Sequence, residues 1–95
     1  MSLQEFEDTL QQTTPPAVAP SLLALWHDAK GDWEAAHNIA QDIHTTDGSW
    51  VHAYLHRKEG DISNAHYWYR LAKKPAHSGT LTQEWKELAT VFLSH

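Results

Sequence analysis

The chain has no cysteine, so a disulfide framework and any thiolate metal site are excluded, and nothing in its composition requires an oxidising compartment. No segment approaches the roughly 20 consecutive apolar residues that span a bilayer. The start, Met1-Ser2-Leu3-Gln4-Glu5-Phe6-Glu7-Asp8, lacks the basic stretch and apolar run of a secretory signal. The expectation is a soluble, cytoplasmic protein with no membrane partner. Bases are scarce too: 7 Lys and Arg stand against 12 Asp and Glu, a formal net charge of -5. Duplex binding displaces counterions with many bases, so this balance argues against nucleic acid as a partner.

Catalytic signatures are also missing. The sequence has no glycine-rich phosphate loop and no strained serine turn. The residue after His52 is Ala53, where a zinc protease would carry a glutamate. No residue is identified as catalytic.

Hydrophobic residues make up 41% of 95 residues, five of them tryptophan, which describes one globular domain with a genuine core. Periodicity and capping signals predict an all-α fold of about six helices. Leu3, Phe6 and Leu10 mark a first helix over about 3 to 12, introduced by the capping-box spacing Ser2 to Glu5. Pro15, Pro16 and Pro20 then imply an extended connector. Helices follow over 21 to 30, 33 to 44, about 49 to 59 with Ser49 or Asp47 as cap, and 62 to 73. A last helix after Thr80 or Thr82 carries the stripe Leu81, Trp85, Leu88 and Phe92. Residues 1 to 20 thus form an N-terminal helix and connector, 21 to 75 two helical hairpins, and 76 to 95 a capping helix.

The two hairpins are related. An offset of 29 residues aligns Ala24 with Ala53, His27 with His56, Gly31 with Gly60, Asp32 with Asp61, Ala36 with Ala65 and His37 with His66. Glycine at a helix end followed by an aspartate cap is a compact helix-to-helix turn, and small alanines at matching depth let paired helices approach closely. Gly60-Asp61-Ile62-Ser63-Asn64-Ala65 and the run Ala65 to Ala72 with its Trp68-Tyr69 resemble the tetratricopeptide and Sel1-like repeat families over about residues 21 to 75. That resemblance implies stacked helix-turn-helix repeats and an interaction scaffold. The leading expectation is therefore a small interaction or regulatory module binding a protein partner or a second copy of itself as a homodimer.

Eight histidines are the main chemical clue, five of them (His27, His37, His52, His56 and His66) in the hairpins. His52 and His56 lie four apart, so both project from one helix face. No cofactor is required by the sequence; the alternative to a scaffold is a small-molecule or metal-binding protein, or an enzyme, with a transition metal such as zinc held by His27, His52, His56 and His66. The competing reading makes these histidines packing groups, each hydrogen-bonded to a carbonyl or carboxylate. Arg57, Tyr54, Tyr67, Trp68 and Tyr69 join His52 and His56 as candidate binding residues. The ordinary reading of Arg57, Lys58 and Arg70 is a solvated basic face, and aromatics at helical spacing are ordinarily core.

Overall fold

A computed structural model covers residues 1–95 and is built from six α-helices without strands. They are α1 (Leu3–Asp8), extended by a 3-10 turn over Thr9–Gln11, then α2 (Pro20–Ala29), α3 (Trp33–Gln41), α4 (Thr46–Glu59), α5 (Ile62–Ala72) and α6 (Leu81–Leu93). The expected all-α class with about six helices is what the chain adopts.

Helix α4 occupies the centre. Every residue from Trp50 to His56 is buried, so this helix lacks a solvent face over two turns. It packs against α5, α3, α6 and α2. Four of the five indoles fasten elements together by their N–H groups: Trp26 donates to Thr9 O, Trp33 to Leu55 O, Trp85 to Leu25 O and, at a long 3.4 Å, Trp50 to Glu84 Oε2. A buried indole N–H needs such a partner, so each of these bonds also fixes a direction of packing.

The two Gly-Asp turns are built alike. Gly31 and Gly60 have φ of 87° and 90°, a region that costs a side-chain-bearing residue about 1 kcal/mol or more. Their N–H groups donate to Asp28 O and Arg57 O, and those of Asp32 and Asp61 to His27 O and His56 O. Each aspartate then caps the next helix, Asp32 accepting from Ala35 N at 3.0 Å and Asp61 from Asn64 N at 3.3 Å. The paired alanines Ala24, Ala36, Ala53 and Ala65 are all buried, as close helix approach requires. Thr80 and Gln83 form a reciprocal capping box at the start of α6, as Ser2 and Glu5 do for α1.

Several boundaries differ from the sequence expectation. Pro20 is the first residue of α2 rather than part of the connector, because a first-turn proline sacrifices no helical hydrogen bond. Helix α3 stops at Gln41, short of His44. Helix α4 begins at Thr46, so Asp47 and Ser49 lie inside it and neither is its cap. Thr45 holds the cap position without a side-chain bond, and Gly48 lets the first turn of α4 lie on Ile43, whose carbonyl oxygen a β-carbon would overlap.

The expected solvated face at Arg57 and Lys58 is also corrected. Both reach across the fold to buried carboxylates: Arg57 donates to Glu84 Oε1 at 3.0 Å and to Gly79 O, and Lys58 donates to Asp28 Oδ1 at 2.8 Å. Glu84 has no exposed surface and also accepts from the Tyr69 hydroxyl at 2.6 Å, so α6 is fixed to both helices of the second hairpin through one carboxylate. Asp28 is matched in the same way by Lys58 and the Tyr54 hydroxyl, joining α2 to α4.

Removing one partner of such a buried group leaves the others desolvated and unpaired. Glu84→Ala is expected to lower stability by about 3–5 kcal/mol, a large share of what a small domain has, with Glu84→Gln costing less because it keeps an acceptor for Tyr69. Urea unfolding of the three proteins measures the difference.

Candidate histidine site

Three imidazoles meet on one side of α4. His52 and His56 project from α4 toward the seam with α3 and α5, and His37 reaches them from α3. The His37 and His52 rings stack at 4.7 Å between centroids and 19° between planes. His56 stands edge-on to both, 5.4 Å from His37 and 5.5 Å from His52. One nitrogen from each residue lies within 4.8 Å of the other two. Two indoles wall the group: Trp33 stacks on His37 at 4.9 Å, and the edge of Trp68 meets His52 at 4.0 Å.

The local sequence explains the convergence. His37 follows Trp33 by one turn and sits beside the buried pair Ala36 and Ala40, so it lies along the inner edge of α3. The indole N–H of Trp33 donates to Leu55 O at 2.9 Å and holds that edge against α4.

The nitrogens are unequally provided for. His56 Nδ1 is 2.7 Å from Glu59 Oε1, which favours a proton on Nδ1 and leaves Nε2 as the free electron pair. The Asn64 side-chain nitrogen lies 3.5 Å from His56 Nε2, a long hydrogen bond at most. His52 is only 5% exposed, and its Nε2 is buried without a hydrogen-bond partner. The packing reading of the histidines requires a carbonyl or carboxylate for each; Glu59 meets that requirement at His56, and His52 Nε2 goes without. An orphaned imidazole nitrogen in dry surroundings costs on the order of 1–3 kcal/mol.

Burial, together with the neighbouring imidazoles His37 and His56, pushes the pKa of His52 down to about 4. That of His37 is lowered by burial and by His56, against the opposing pull of Glu59. Both are therefore neutral at pH 7, the form in which imidazole coordinates metal.

The other candidates lie elsewhere. His27, half-buried, has its ring edge-on to Trp26, and exposed His66 borders a shallow cavity with Tyr69, Arg70 and Lys74. Neither shares the cluster with His52 and His56; their place is taken by His37. Among the candidate binding residues, Tyr54 is committed to Asp28, and Arg57 and Tyr69 to Glu84, so these three tie helices together. Trp68 walls the histidines, and Tyr67 is 49% exposed on α5. No helix is long and apolar enough to cross a membrane. No family model matches the chain, and neither does any curated protein or solved structure.

The lowered pKa of His52 makes folding sensitive to acid with a definite sign. The neutral form is favoured by the folded state, so its contribution is complete above about pH 6.5 and is lost as the pH falls toward 4, by at most about 3 kcal/mol. His37 acts in the same direction. His52→Leu removes the group and its orphaned nitrogen. Urea midpoints at pH 7 and pH 4.5 are expected to fall less in this variant than in the parent protein.

Proposed function

We propose that this chain binds a transition-metal ion through His37, His52 and His56, and that the ion fastens α3 to α4 across the seam between the two hairpins. The observation that carries the reading is the buried, unpartnered Nε2 of His52 inside a group of three imidazoles. A metal supplies the electron acceptor that this nitrogen lacks, and the same step relieves the cost of its burial.

The donor set favours zinc, copper, nickel or cobalt over magnesium or calcium, which prefer oxygen. Tetrahedral bonds of about 2.0–2.1 Å require nitrogens roughly 3.4 Å apart. The nitrogens, which lie within 4.8 Å of one another, therefore approach by no more than about 1.4 Å on binding, which ring rotations can supply. Glu59 is the carboxylate that orients a ligating histidine. Three cavities of the molecule are lined by other residues, two of them around α6 and one beside His66 and Tyr69. This placement favours an ion that holds structure over one that works on a substrate.

Titration with Co2+ is expected to produce the visible absorption of a tetrahedral site, and Zn2+ to displace it. His37→Ala and His52→Ala should each weaken binding at least about 100-fold, and Glu59→Gln about 10-fold. Zinc at 100 times its Kd adds about 2.7 kcal/mol to stability, a rise in Tm of roughly 10 to 20 °C that EDTA reverses. Binding that survives His52→Ala unchanged sinks the reading.

Association with a protein partner or a second copy is a further reading, in line with the resemblance to helical-repeat scaffolds and with the matching geometry of the two Gly-Asp turns. Helix α5 packs mainly on α4, and Ile62, Tyr67 and Leu71 are about half exposed on it. Sedimentation is expected to show a concentration-dependent dimer that Tyr67→Glu and Leu71→Glu abolish; a parent protein that stays monomeric throughout excludes the homodimer.

A further inference from the structure

The face of α4 opposite the histidines borders a cavity of about 420 Å3. It is lined by α4, the end of α2, the N-terminal segment and α6. The volume lies in the range of small-molecule sites.

Its interior and its rim differ in chemistry. The buried polar groups of the wall are already spent: the Tyr54 hydroxyl donates to Asp28 Oδ2, Lys58 Nζ to Asp28 Oδ1, and the Trp85 indole N–H to Leu25 O. What the wall offers a guest is the small accessible part of Trp85, whose ring is stacked on Phe6, and the apolar groups of half-buried Leu10 and Leu81 and exposed Ala29. The rim offers charge of both signs. Lys58 uses one ammonium donor on Asp28, and its side chain is 37% exposed, leaving donors free. Lys86 is exposed and Glu7 half-buried, and neither has an ion-pair partner within 4.0 Å. With Lys58 and Asp28 neutralising each other, the rim is left with one uncompensated cation, Lys86, and one uncompensated carboxylate, Glu7.

We propose that this cavity binds a small zwitterion with an apolar body, of the chemical class of the apolar α-amino acids. The carboxylate of the guest pairs with Lys86, its ammonium with Glu7, and its side chain lies against Leu10, Leu81 and the accessible part of Trp85. An apolar acid or an apolar amine alone satisfies only one side of the rim and leaves the other charge unpaired. The site is separate from the histidine cluster and does not depend on metal.

The test uses 15N-labelled protein titrated with L-phenylalanine, phenylacetate and phenethylamine at low salt. Phenylalanine is expected to shift the Trp85 indole and the amides of Leu81, Thr82 and Ala29, and to bind about fivefold or more tighter than either fragment. Raising the salt should weaken it. Lys86→Ser should abolish the preference over phenethylamine, and Glu7→Gln the preference over phenylacetate. Both replaced side chains reach solvent, so the fold persists. Ala29→Phe fills the cavity and should remove binding while α-helical circular dichroism is retained. Equal binding of one fragment, shifts that map to another surface, or undiminished affinity in Ala29→Phe each overturn the proposal, as does an absence of shifts with phenylalanine.

Discussion

The carboxylate of Glu84 has no exposed surface, and the position of α6 depends on the donors gathered around it. A lone buried carboxylate is too costly to persist, so its place in the core is set by where Arg57, the Tyr69 hydroxyl and, more weakly, the Trp50 indole can all reach it. Apolar packing of Leu88, Ala89 and Phe92 supplies α6 with affinity for the body of the protein. It does not supply direction, since an apolar stripe tolerates sliding and rotation. Glu84 supplies direction, and the second contact of Arg57, to Gly79 O, carries it into the segment that leads to α6. Burial and the Glu84 hydrogen bond both raise the Tyr69 pKa, so the hydroxyl remains a donor throughout the neutral range.

The same logic repeats around α4. Asp28 is held by Tyr54 and Lys58, which lie beside Trp50 and Arg57 around the helix; the histidines occupy the opposite side. Helical geometry places residues 52 and 56 about 40° apart around the axis and residue 54 about 200° from residue 52. A helix buried over two turns is thus surrounded by three polar constellations, each at the seam with a different neighbour. Two of the three are complete within the chain. In the histidine group the donors and acceptors do not balance, and that imbalance distinguishes a candidate site from a structural network here.

Much of the local architecture was legible in the sequence because it depends on neighbours a few residues apart. Gly31-Asp32 and Gly60-Asp61 encode their turns directly, and Thr80 with Gln83 closes its own capping box. The long-range polar contacts were not legible, because a charged side chain in a sequence is ordinarily a surface group. A signal existed even so: Glu84 falls between Leu81, Trp85 and Leu88 on the apolar stripe of α6, and Asp28 continues the spacing of Ser21, Ala24 and Leu25 on α2. A charge on an apolar stripe asks for a buried partner, although nothing in the sequence says which. His37 was missed as a member of the histidine group for a topological reason. The repeat register related His27 to His56, but α3 lies against α4, so it is the α3 histidine that reaches the seam.

Placement of a metal at that seam has a consequence for how the two hairpins are joined. Each hairpin has its own Gly-Asp turn and buried alanine pair, so each is internally constrained. Between them, α3 and α4 are linked by the four residues Asp42 to Thr45, with Gly48 against Ile43 and Trp33 bonded to Leu55 O. The proposed ion would add a cross-link from the middle of α3 to the middle of α4, between residues 37 and 52 or 56. Closing a loop of that length removes conformational freedom mainly from the unfolded chain, in addition to relieving the orphaned nitrogen. The lowered pKa of His52, about 4, works in the same direction, since protons compete poorly for its nitrogens until the solution is well below neutral, and that of His37 is shifted the same way. Two imidazoles held toward the neutral form, one of them with an orphaned nitrogen, are costly to the fold, and a bound metal would convert that cost into affinity.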